Sequence, residues 1–148
     1  MVPTADTAET TTRDTDKPQT FDVVIIGGGP GGYATALYGA AAGLDIAMIE
    51  KTKVGGTCLH VGCIPAKELL ETAHVYRTVV DAATFGVEAG PPKLDFSVTQ
   101  ARKQKVIDTL YKGLTGLLKS RKVTLGLTQC GFIESLVYLH DKTPPICC

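Results

Sequence analysis

Residues 21–26 (FDVVII) are a short, β-branched apolar run that passes without a spacer into residues 27–32 (GGGPGG). No other stretch restricts the fold as tightly. A run of this composition is the kind used for a strand buried on both faces, and the glycines force the chain to turn at once. Residues 33–42 (YATALYGAAA) are small and helix-favouring. Gly43 suits the helix stop, and residues 44–49 (LDIAMI) read as a second strand ending at Glu50. The three pieces make a βαβ unit of about the length such a crossover needs.

The turn reads Gly27-x-Gly29-x-x-Gly32. Its first glycine permits the tight turn, and its second lets backbone N–H groups approach a pyrophosphate. The third allows helix and strand to pack closely. The helix N-terminus adds roughly half a positive charge aimed at the phosphates. Glu50 stands 18 residues beyond Gly32, where a carboxylate accepts hydrogen bonds from ribose hydroxyls and repels a 2′-phosphate. The expected fold class is therefore α/β: a Rossmann-like βαβ unit with a parallel sheet, followed by helices, binding an adenine dinucleotide.

Beyond Glu50, residues 51–64 read as a glycine-rich loop carrying two cysteines. Pro65 fits the first turn of a helix that runs to about residue 83, since its missing N–H has no partner there. Residues 86–92 form a linker. From residue 96 to 120 the set Val106, Ile107, Leu110, Leu114, Leu117 and Leu118 recurs at helical spacing. Between Arg102 and Lys122 lie seven Lys/Arg against one Asp. No aromatic interleaving accompanies them, so this is a solvated helix face rather than a nucleic-acid patch.

Composition narrows the partners. The 148 residues hold 15 basic and 15 acidic side chains, so no net charge draws the chain to nucleic acid or anionic lipid. A 44% hydrophobic content excludes disorder throughout. Residues 1–20, with seven Thr and four acids, read as a disordered leader without the apolar core of a secretory signal. The most apolar long window, residues 33–49, is broken by Asp45 and falls short of the ~20 apolar residues of a membrane span. A cytoplasmic protein with no membrane partner is expected. Five cysteines, an odd count, favour free thiols or chemistry over a disulfide framework.

Residues 55–67 read GGTCLHVGCIPAK. Fully extended, Cys58 and Cys63 would stand about 16–18 Å apart, and in an ideal helix about 8.7 Å. A disulfide needs about 4.4–6.8 Å, so a bridge requires a compressed segment, which Gly62 makes accessible. Closing so short a loop stabilises a fold by only about 2 kcal/mol, against about 4.7 for a long one. As a dithiol/disulfide switch the pair makes better sense. Cys63 also precedes a helix N-terminus, where the dipole favours a thiolate. Two buried thiols, or half a zinc site, are the other readings. No second Cys/His pair at usable spacing stands nearby for zinc.

This block, following the glycine turn and Glu50, resembles the disulfide-dependent flavoprotein reductases, which include dihydrolipoamide dehydrogenase, glutathione reductase and mercuric reductase. Leu59, Ile64 and Pro65 are most similar to the dihydrolipoamide dehydrogenase branch; His60 stands where many members have Asn, and Ala66 where Ser or Thr is usual. The resemblance implies that Gly27, Gly29, Pro30, Gly31 and Gly32 surround the pyrophosphate of FAD, that Glu50 binds its ribose, and that Gly56 and Thr57 lie along the dinucleotide. It implies that Cys63 is the thiol nearest the flavin, Cys58 the interchange thiol, and Lys67 the lysine near flavin N5. His60, His74 and His140 match no family acid/base. The implied reaction passes electrons from a protein-bound dihydrolipoamide through Cys58 and Cys63 to FAD and then to NAD⁺. The implied partners are a lipoyl-bearing protein of a 2-oxoacid dehydrogenase complex and a second copy of the chain.

The resemblance spans about residues 21–125, the N-terminal part of the FAD-binding domain. Residues 126–148 are unmatched: they hold Cys130, Cys147, Cys148 and a Pro-Pro pair and read as a frame-shifted or foreign end. No second GxGxxG for NAD occurs. The chain is thus expected to be a truncated family member whose turnover alone is doubtful. The alternatives are a non-catalytic FAD-binding or dithiol carrier module, or another family member such as mercuric or glutathione reductase.

Overall fold

The structure, a computed structural model, describes residues 19–127. The expectations for residues 1–18, Cys130, His140, Cys147 and Cys148 lie outside it. Strand β1 (Val23–Ile26) leads through the glycine turn into helix α1 (Pro30–Ala41), and strand β2 (Ile46–Glu50) follows. Gly29 is the extended N-cap and Pro30 the first helical residue, where a residue lacking N–H costs nothing. Gly43, at φ +88°, ends the helix, a backbone that a side chain would strain. The β1 and β2 strands are parallel with Val23 opposite Ile46. The start of the pair is pinned where the Asp45 N–H donates to Asp22 Oδ2 at 2.8 Å.

Three helices come next: α2 (Gly56–His60), α3 (Cys63–Val80) and α4 (Phe96–Ser120), with a short 3₁₀ turn at Ala82–Phe85. Asp95 caps α4 by accepting from the Ser97 and Val98 N–H groups, and with the Ser97 hydroxyl these bonds hold its carboxyl below the usual range. Strand β3 (Thr124–Leu127) then pairs parallel to β2, giving the order β1-β2-β3. Lys122, at φ +60°, is the bend between α4 and β3.

The main core cluster lies on one face of this sheet, with Ala47 and Ile49 buried on the other. Ile46, Met48 and Leu118 are fully buried, with Ala36, Val54 and Val123 against them. Thus α1 and α4 meet over β2. An ion pair, Arg102 to Glu68 at 2.7 Å, ties α3 to α4.

Three expectations need correction. Residues 51–64 are not a loop throughout, because α2 occupies Gly56–His60. Strand β1 is not buried on both faces: Val24 and Ile26 are exposed, and β2 is the strand that is buried along its length. The reason is position, since β1 ends the described sheet while β2 has a neighbour on each side. Finally, Leu110 and Leu117 are over 40% exposed, at 43% and 44%. The apolar stripe on α4 is wider than the surface it packs against.

Candidate functional site

The glycine turn is built by backbone. Gly27, at φ +98°, donates its N–H to the Ile49 carbonyl at 2.8 Å, which fastens the end of β1 to β2. A Cβ at Gly32 would lie 1.8 Å from the Gly27 carbonyl oxygen, so only glycine lets α1 start so close to the strand. At Gly27, Gly29 and Gly31 a Cβ would meet nothing within 4 Å. The turn is braced from outside by the next loop. Gly55 donates to the Gly28 carbonyl at 2.7 Å, and a Cβ on Gly56 would meet the Gly29 Cα at 2.8 Å.

Glu50 ends β2 beside this turn. Its Oε2 accepts the Gly28 N–H at 2.7 Å and its Oε1 the Thr52 N–H at 2.9 Å. Burial opposes its charge, but the amides of Thr52, Gly28 and Lys51 outweigh that and hold its carboxyl below the ordinary value. A polar cleft of about 590 Å³ opens here, lined in part by Glu50, Thr52, Lys53, Thr57, His60 and Gln104. Glycine turn, acid and cleft are adjacent, which fits a dinucleotide with its pyrophosphate on the turn and its ribose toward the acid. A second, more apolar groove of about 440 Å³ between α3 and α4, around Tyr76 and Leu94, contains none of these groups.

The cysteines come together through α2. Gly55 and Gly56 both have positive φ, +108° and +57°, and swing the chain into this five-residue helix. The Thr57 carbonyl then accepts two N–H groups, from Val61 at 3.0 Å and Gly62 at 2.7 Å. That closure folds the chain back so that α3 begins at Cys63. Both thiols are free. The adjoining Cys63 thiol, together with desolvation, pushes Cys58 above the ordinary thiol value, while the Lys67 ammonium and the Cys63 N–H work against the shift. Cys63 sits at the positive end of the α3 dipole. Lys67 is exposed one turn further along α3.

The structure therefore gathers the expected residues into two neighbouring groups. One is Gly27, Gly29, Pro30, Gly31, Gly32, Glu50, Gly56 and Thr57; the other is Cys58, Cys63 and Lys67. Sequence reading passed over three contributors. Gly28 and Gly55 make the bond between the loops, for which the Gly-Gly pairs are the visible signal. His60, set aside as non-catalytic, holds α2: its Nε2 is 2.9 Å from the Val54 carbonyl, and its ring meets Tyr111 edge-on at 5.4 Å. Nothing in the local pattern announces that contact.

A parallel α/β sheet with a glycine-turn nucleotide cradle and an adjoining dithiol defines a class, the dinucleotide-binding redox proteins. Comparison with known proteins narrows it. The sequence profile described as pyridine nucleotide-disulphide oxidoreductase matches residues 21–137, and the chain belongs to this family. Among relatives, a dihydrolipoyl dehydrogenase of Bacillus subtilis is 52% identical over 103 residues, covering 70% of this chain and 22% of the relative. A dihydrolipoyl dehydrogenase of Chlamydia muridarum is 39% identical over 129 residues, 86% of this chain and 28% of its own length. A mitochondrial dihydrolipoyl dehydrogenase of Pisum sativum is 45% identical over 105 residues, 70% of this chain and 21% of its own. The chain spans about a quarter of the length of these relatives. Among the described residues, no helix is long and apolar enough to cross a membrane.

Proposed function

We propose that residues 21–127 carry the FAD cradle and redox dithiol of a dihydrolipoamide-oxidising disulfide oxidoreductase. The observation that carries this reading is the adjacency of the glycine turn to the Cys58–Cys63 pair: Gly56, two residues before Cys58, rests on Gly29 of the turn. The α1 N-terminus and the glycines would hold the pyrophosphate, Glu50 the ribose, and Gly56 and Thr57 the length of the dinucleotide. When bound, FAD supplies a two-electron acceptor and, in the complete family enzyme, passes those electrons to NAD⁺.

The chain's own residues handle sulfur and protons. A substrate dithiol that becomes a disulfide gives up two electrons and two protons; the Cys58–Cys63 disulfide takes both and becomes two thiols. A substrate thiolate attacks the Cys58 sulfur, forming a mixed disulfide and releasing Cys63 as a thiolate. The second substrate thiolate then attacks the substrate sulfur of that mixed disulfide, closing the substrate disulfide and releasing Cys58. The two thiolates take up the two protons. Lys67 supplies positive charge beside the pair. The proposed donor is a lipoyl-bearing protein of a 2-oxoacid dehydrogenase complex, with a cytoplasmic setting and homodimeric assembly.

The test is spectroscopic. The purified chain, incubated with FAD and desalted, should stay yellow. Anaerobic addition of dihydrolipoamide should then raise a long-wavelength charge-transfer band, which Cys63→Ser abolishes. A protein that keeps no flavin but forms the Cys58–Cys63 disulfide would replace this reading with that of a dithiol carrier. Absence of both flavin and disulfide would remove both.

A further inference from the structure

We infer that His60 is a positioning residue for the Cys58–Cys63 pair, an inference that rests on the redox reading of those two thiols. Four residues separate the cysteines: Leu59, His60, Val61 and Gly62. For the sulfurs to bond, the Cα separation must fall from the ~8.7 Å of a regular helix to about 4.4–6.8 Å. The chain must therefore be held bent. The Thr57 carbonyl provides the local part of the bend, but hydrogen bonds inside the loop do not fix the loop to the protein.

Only side chains can do that, and few are available. Val61 is 77% exposed and Gly62 has none. Leu59 is buried over Gly55, where a Cβ would lie 2.4 Å from its Cδ2, but apolar packing is indifferent to rotation. His60 makes the directional contact. A carbonyl can only accept, so the Nε2 facing the Val54 oxygen at 2.9 Å carries a proton and donates it. The Tyr111 ring of α4, at 68° to the imidazole, sets the ring plane. Val54 is itself part of the buried core. A Cβ on Gly28 would lie 3.1 Å from its Cγ1, so the anchor point also supports the glycine turn. His60 thus fastens the loop between the two thiols to a rigid point shared with the nucleotide cradle.

Loosening this clasp widens the range of sulfur–sulfur separations and disfavours the disulfide. The measurement is the equilibrium of the full-length chain with oxidised dithiothreitol: two protein thiols become one disulfide as the reagent becomes a dithiol, with two electrons and two protons passing. Peptide mass spectrometry reads the Cys58–Cys63 bridge separately from the other cysteines. His60→Ala should lower the equilibrium constant at least threefold. His60→Asn or His60→Gln, which keep an N–H donor, should recover at least half of the loss on a logarithmic scale. A residue that merely supports the fold would lower the melting temperature and leave this constant in place.

A folded His60→Ala chain within twofold of the parent overturns the inference, as does no recovery with either amide. If His60→Ala does not fold, the parent decides. The ¹⁵N-labelled imidazole should show an Nε2–H signal that shifts between dithiol and disulfide forms, and an unchanged signal counts against the inference. A parent chain that forms no Cys58–Cys63 bridge removes the redox reading as well, whereas a normal parent with an indifferent His60→Ala removes only the role of His60.

Discussion

At Glu50 the N–H groups of Gly28 and Thr52 take the place of water, so the folded chain favours the ionised carboxylate. A carboxyl held low in the folded state contributes stability above its ordinary range and loses it as pH falls through its folded value. The melting temperature of the parent should therefore drop more steeply between about pH 6 and pH 3 than that of Glu50→Gln, as scanning calorimetry would show. The glycines divide sharply. Gly32→Ala, with its Cβ against the Gly27 carbonyl, should cost about 3 kcal/mol or more in urea unfolding. Gly31→Ala, pointing into open space inside a helix, should match or exceed the parent's stability by up to about 1 kcal/mol. It should nevertheless weaken flavin retention, which separates cradle from scaffold. The place of Glu50 after the second strand was legible from spacing alone. Its two amide partners were not, because they arrive from a turn 22 residues away and from local bending after the strand.

The helices show where pattern reading stops. The bounds of α4 followed from apolar spacing, but the spacing could not rank its leucines. Leu118 is fully buried and Leu117 is not. Leu118→Ala should destabilise by about 2–5 kcal/mol, whereas Leu117→Ala should stay within about 0.5 kcal/mol; paired denaturant midpoints measure the contrast. Helix α2 escaped the sequence for a different reason. Five residues are too few to show a period, and glycines open the segment. Its shape comes from the Thr57 carbonyl, from Leu59 over Gly55 and from His60 on Val54, all contacts made after the chain has turned.

For the molecule as a whole, the parallel α/β architecture followed from one βαβ unit, yet the third strand did not. Thr124–Leu127 is only four residues with a glycine among them, and pairing with β2 makes it a strand. Among the described residues β1 ends the sheet, and one of its faces presents Val24 and the 66% exposed Ile26, an apolar surface suited to unwanted association. Ile26→Thr keeps the branched strand-favouring shape, so it should reduce light scattering at high concentration while moving stability by no more than about 0.5 kcal/mol. The crossing of the two glycine loops has a genetic consequence. Gly32, Gly55 and Gly56 face neighbouring atoms so closely that any side chain meets occupied space. Every missense change at a glycine codon adds at least a methyl group, so these codons have no mild alternatives. In a saturation library read by growth or binding, they should rank among the least tolerant of the described positions, while the exposed Lys53 and Val61 accept many replacements.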